Sequence, residues 1–223
     1  MPTIAQIKEV FKGIYSTELE LVPESPDAIG RAESRLGFAL PELLREFYQM
    51  TSHADAVNCV QDRLLAPDEL EIRTGALCFY VESQGQSLWG ILSDNHSCAD
   101  PPVHRTLADE PLLWELEETS LSRFLIGMAY WQALEGGLPN VALGWADEAV
   151  SKQVQQTWPE LFTSHSGDFA VYGNNGQVLG ILGDRHGGPL HAATRSPEQL
   201  RAIDKQLQID WDLFEATDES PDV

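Results

Sequence analysis

Positive charge is scarce in this chain. Fourteen Lys and Arg stand against thirty-five Asp and Glu over 223 residues, a formal net charge of −21 at pH 7. A surface so poor in cations repels phosphate backbones and anionic lipid, so neither nucleic acid nor a membrane surface is an expected partner. Long hydrophobic runs are missing as well, with no stretch near the roughly eighteen apolar residues that a membrane span needs. The segment Met1-Pro2-Thr3-Ile4-Ala5-Gln6-Ile7-Lys8 has neither a basic leader before an apolar stretch nor a small-residue cleavage site. The expectation is a soluble, cytoplasmic protein.

Cysteine is nearly absent. Cys59, Cys78 and Cys98 are an odd number and form no C-x-x-C pair, which argues against a disulfide framework, a zinc site and a redox dithiol alike. The phosphate-cradling patterns G-x-x-x-x-G-K and G-x-G-x-x-G, the zinc helix H-E-x-x-H and the nucleophile elbow G-x-S-x-G do not occur either. No catalytic residue, cofactor site or metal ligand is therefore assigned. One metal-dependent hydrolase alternative can be drawn, from Asp184, His186 and His191 or the similar Asp94, His96 and His104, but their loose spacing is common by chance.

What is present is an ordinary core: 43% hydrophobic residues, with six Trp, eight Phe and five Tyr. Ile4, Ile7, Val10, Phe11 and Ile14 recur at helical spacing. Ser25-Pro26 starts a second helix that Gly37 ends, and Leu40-Pro41-Glu42 starts a third carrying Leu43, Leu44, Phe47 and Tyr48. Residues 76–81 and 87–92 read as two antiparallel strands around the loop Glu82-Ser83-Gln84-Gly85-Gln86. Ser120 caps the longest helix, which Gly136-Gly137 stops.

The later half repeats these devices. A helical stretch runs from Asp147 to Gln156, and strand-like runs follow at residues 169–172 and 178–182. Ser196-Pro197-Glu198-Gln199 is a capping box that opens the last helix. The acidic, Pro-containing end from Ala216 is expected to fray. The heptapeptide Gly90-Ile91-Leu92-Ser93-Asp94-Asn95-His96 is echoed by Gly180-Ile181-Leu182-Gly183-Asp184-Arg185-His186, with the same residue at five of seven positions. A duplicated strand-and-turn unit explains the echo, and so do the shared preferences of strand ends.

One order of features now stands out. Leu36-Gly37 and Leu40-Pro41 lead into a helix, then come Glu82-Ser83-Gln84-Gly85, the strand Leu88-Trp89-Gly90-Ile91, Asp100-Pro101-Pro102-Val103, an isolated Trp114 and the helix start Ser120 to Leu125. This order resembles the SUKH (Smi/Knr-type) superfamily over about residues 28–137. It departs from that pattern at Met50-Thr51-Ser52-His53-Ala54, where members have an Asn-Gly-Gly-like turn.

The resemblance implies an α+β fold with a mixed or antiparallel sheet flanked by helices. The expected organisation is one compact domain over 1–223, with 1–137 as SUKH-like core and 138–223 extending the same sheet. It also implies an immunity protein that neutralises a cognate toxin, perhaps a nuclease. Such a toxin is basic where it grips phosphate, so the acidic charge suits it. The alternative within the same family is an intracellular scaffold or regulator.

The densest mixture of acids and apolar anchors is Asp109, Glu110, Trp114, Glu115, Glu117 and Glu118, interleaved with Leu112 and Leu113. These six residues are the candidate partner interface, and a solvated turn with Trp114 tucked into the core is the competing reading. The absence of heptads and of a surplus apolar stripe gives a monomer as the expectation.

Overall fold

The computed structural model describes residues 3–16, 19–51, 54–108, 113–183 and 186–217. The chain is α+β, and its strand pairings are antiparallel. It divides into two compact units, one of Met1–Glu9 with Glu20–Met128, the other of Val10–Leu19 with Ala129–Val223.

Helices α1 (Ile4–Tyr15), α2 (Pro26–Leu36), α3 (Glu42–Thr51) and the single turn α4 (Asp55–Asn58) come first. Their ends follow from local chemistry. Ser25 accepts a hydrogen bond from the Ala28 amide at 3.1 Å, Pro26 occupies the first turn, and Gly37 closes α2 at φ +84°, a conformation that costs other residues a Cβ clash. On α3, Leu44, Phe47 and Tyr48 point inward, and the Tyr48 hydroxyl donates to the Leu65 carbonyl at 2.6 Å.

The first sheet takes β1 (Arg63–Leu64), β2 (Glu71–Arg73), β3 (Ala76–Val81), β4 (Ser87–Leu92), β5 (Val103–Leu107) and β6 (Glu115–Glu118). Its order is β1-β3-β4-β5-β6, with β2 also paired to β3. A bulge between Cys78 and Tyr80 lets both Phe79 and Tyr80 meet Phe124, at ring centroid distances of 5.5 and 5.6 Å. Trp89 joins them at 5.9 Å from Phe124, so it is a core residue. Cys78 is buried, and loss of hydration pushes its thiol up to about 11.

The residues that carry the family resemblance serve this architecture. Gly85, at φ +72°, turns the β3–β4 loop, and Glu82 accepts from the Gln86 amide and the Ser83 hydroxyl. Asp100 caps α5 (Leu121–Gln132) by accepting from the Ser122 amide at 2.8 Å and its hydroxyl at 2.7 Å, while the Pro101 carbonyl accepts from the Leu121 amide. Asp-Pro-Pro-Val thus places a strand and a helix start side by side.

The second unit builds its own sheet from β7 (Asn140–Ala146), β8 (Glu160–Thr163), β9 (Phe169–Asn174), β10 (Gln177–Leu182), β11 (Gly188–Thr194) and β12 (Trp211–Glu215), ordered β12-β7-β11-β10-β9-β8. Helices α6 (Glu148–Thr157) and α7 (Pro197–Leu207) cover one face through Val154, Leu200, Ile203 and Leu207, which pack on Ala142, Leu179, Ile181, Leu190 and Ala192. The Ser196–Gln199 capping box forms as its sequence suggests. Asn175 and Gly176, both with positive φ, make the two-residue β9–β10 hairpin.

The expected extension of one sheet through residues 138–223 is therefore corrected. β7 pairs with β11 and β12, and among the described residues no pairing joins the two sheets. The reason lies in β7 and β11, whose Ala, Gly and Pro residues hide two further strands that give the second half a complete sheet.

The echoed heptapeptides occupy equivalent places. Gly90 and Gly180 are each the fourth residue of the middle strand of a meander. Each faces a histidine on the next strand, Gly90 opposite His104 and Gly180 opposite His191. The histidines in turn face Leu116 and Leu143. The Gly–His pairing recurs in the same chain order in both units, whereas Leu116 follows its histidine and Leu143 precedes its own, so only two strands of the row extend the echo.

Candidate functional site

The first sheet ends at β6, and the surface there is mixed in a way that solvent does not favour. Leu107 is 52% exposed, Leu113 67% and Leu116 45%. With Arg105, Thr106, Glu115 and Glu117 they line an open groove of about 280 Å³. Three leucines held in water cost free energy in proportion to their apolar area, so a partner that covers them gains it back.

Strand pairing brings these residues together. Arg105 faces Glu115 and His104 faces Leu116, while Val103 faces Glu118 beyond a bulge at the intervening Glu117. The Arg105 guanidinium donates to the Ser87 hydroxyl at 3.1 and 3.2 Å, which draws it toward β4 and away from β6. Glu115 and Glu117 thus border an apolar groove.

Of the six residues expected at an interface, four are described, and they do not share one task. Glu115 and Glu117 line the groove. Trp114 is half-buried, its ring packed where a side chain on Gly90 would stand, 3.0 Å from that Cβ position. It packs back onto β4, which is nearer the tucked reading than an exposed anchor. Glu118 is 3% exposed and accepts from Arg123 Nε at 3.0 Å, which takes it out of the accessible surface. Asp109 and Glu110 lie outside the described residues. Arg105, Leu107 and Leu116 complete the groove and were missed, since only the β5–β6 register places them together.

The histidines of the metal alternative are engaged separately. His96 stacks on Phe38 with centroids 4.2 Å apart, and its Nε2 lies 3.2 Å from the Ile91 carbonyl. Loss of hydration holds His96 and His104 below the usual histidine range. His191 Nδ1 is 2.7 Å from Glu135 Oε1, beside Trp131. Asp184 lies outside the described residues, and among those described no group of three His, Cys, Asp or Glu is placed to hold a metal ion.

No protein-family model, curated protein or solved structure matches this chain. Among the described residues no helix is long and apolar enough to cross a membrane.

Proposed function

We propose that this chain is an acidic cytoplasmic binding protein of SUKH type that neutralises a basic toxin domain, acting as a monomer and without catalysis. The observation that carries the reading is the groove of Leu107, Leu113 and Leu116 bordered by Glu115 and Glu117, on a chain of net charge −21. Apolar anchors within a charged border are how interfaces gain affinity and select partners. The long-range field adds speed, drawing a cationic partner in and turning away acidic ones. A second copy of this chain meets the same repulsion, which favours the monomer.

Kinship with the SUKH superfamily is supported by the roles of Gly37, Gly85 and Asp100, which set the order of helix, hairpin and helix that the resemblance rests on.

The test is a pull-down from the native extract with the purified chain as bait, at low and at high salt, read by mass spectrometry. One basic toxin domain retained near one-to-one, and reduced at high salt, is the expected result. Retention of many unrelated proteins overturns the immunity reading and leaves a scaffold. The same pull-down with Leu116→Arg tests the groove, since a partner held elsewhere is retained unchanged.

A further inference from the structure

We propose that the partner binds by strand addition: an extended, basic segment lies antiparallel to β6 and becomes the next strand of the first sheet. The inference rests on the binding reading above and specifies its geometry. Its basis is that each unit shows half of the arrangement.

The two sheets align strand for strand. The row Gly90–His104–Leu116 crosses β4, β5 and β6, and the row Gly180–His191–Leu143 crosses β10, β11 and β7. β6 and β7 therefore hold the same place in the sheet order, although β6 follows β5 in the chain and β7 precedes β9. Beyond β7 the second sheet has β12, antiparallel to it, which continues the row with Leu213 opposite Leu143. Beyond β6 the first sheet has no strand among the described residues.

The consequence appears at the row's last leucine. Leu143, flanked by β12, is only partly exposed, whereas Leu116 is 45% exposed. An edge strand offers a line of backbone donors and acceptors to whatever strand approaches, and proteins usually blunt such edges. Here Glu115 and Glu117 do the blunting, and they also choose the partner. Like charges facing each other across a strand pair are destabilising and opposite charges stabilising. A β6–β6 pairing between two copies sets Glu115 and Glu117 against further glutamates. A segment with Lys or Arg at these places and an aliphatic residue facing Leu116 satisfies both demands. Main-chain hydrogen bonds then give affinity, and the alternating side chains give selectivity.

The experiment uses the full chain and two synthetic peptides. One alternates lysine with valine and leucine over about the length of β12; the other has the same sequence with alternate backbone nitrogens methylated. Methylation keeps charge and side chains but removes the ladder donors. Binding is followed by fluorescence anisotropy at low salt, and amide exchange is measured across residues 115–118. The expected result is at least tenfold weaker binding of the methylated peptide, with exchange slowed at β6 only by the unmodified one. Leu116→Arg, checked for native circular dichroism, should lower binding of the unmodified peptide by a similar factor. Equal binding of both peptides overturns strand addition while leaving an acidic binding surface intact. Failure of both peptides to bind overturns strand addition too, and the toxin pull-down then decides the wider reading independently.

Discussion

Gly90 and Trp114 share one space. A Cβ on Gly90 stands 3.0 Å from Trp114 Cη2 and equally close to the Leu77 carbonyl oxygen, so the indole packs on bare backbone. Gly90 has no left-handed backbone demand of its own; what it supplies is room. Trp114 immediately precedes Glu115, the first residue of β6, so the room at Gly90 bears on how that edge strand is seated.

Gly90→Val should therefore cost about 1–3 kcal/mol through overpacking, read as a lower urea midpoint with little change in slope. Trp114 fluorescence should become more exposed to water-borne quencher. Partner capture should fall with it. An unchanged midpoint would mean that Trp114 does not rest on this strand in solution.

Much of the helical fold was legible because its signals are local. Ser25, Asp147 and the Ser196–Gln199 pair each form their cap with an amide within one turn. The strands 76–81 and 87–92 were equally plain, being buried on both faces. β7, β11 and β12 were not legible, for three different reasons. β7 reads as small residues around Trp145, β11 opens on Gly188-Pro189 and resembles a turn, and β12 alternates acids with apolar residues on an exposed edge. The groove was half legible for the same cause. Glu115 and Glu117 stand out by composition, but Arg105 and Leu107 join them only by pairing.

The cysteines offer a test of the packing between β3 and β4. Cys59 and Cys98 are exposed, whereas Cys78 is buried opposite Gly90 with its thiol raised to about 11. A thiolate is the reacting species, so exposure and ionisation act in the same direction. Two of the three thiols should react promptly with a disulfide reagent at neutral pH, and Cys78 only on unfolding, counted by absorbance with and without denaturant. Prompt reaction of all three would contradict this core.

Tyr48 tests the join between α3 and the first sheet. Its hydroxyl reaches the Leu65 carbonyl just after β1, and burial first of all, with Glu69 and Glu24 nearby, drives its ionisation well above the ordinary value. Tyr48→Phe keeps the ring and leaves that carbonyl short of a donor, at a cost of about 1–2 kcal/mol. Thermal unfolding should shift down by several degrees, whereas the partner, bound at the far edge of the sheet order, should be captured as before.

Acid should weaken the first unit in two separable stages. His96 and His104 are held below the usual histidine value of 6.5 by burial. The folded state thus binds their protons less readily than the unfolded chain does, and stability is lost as pH falls from that value through the lowered one. Glu69, held below 4.5 chiefly by its hydrogen bond from Arg63, has the same sign but acts only in the more acidic range. His104→Leu, which keeps an apolar filler opposite Gly90 and next to Trp114, should flatten the first stage and leave the second. The check is the urea midpoint at pH steps from about 7 to about 4, where histidine and carboxylate titrations are separated. A first stage of undiminished size in the variant would assign it to His96, whose stacking on Phe38 is independent of the β4–β5 row.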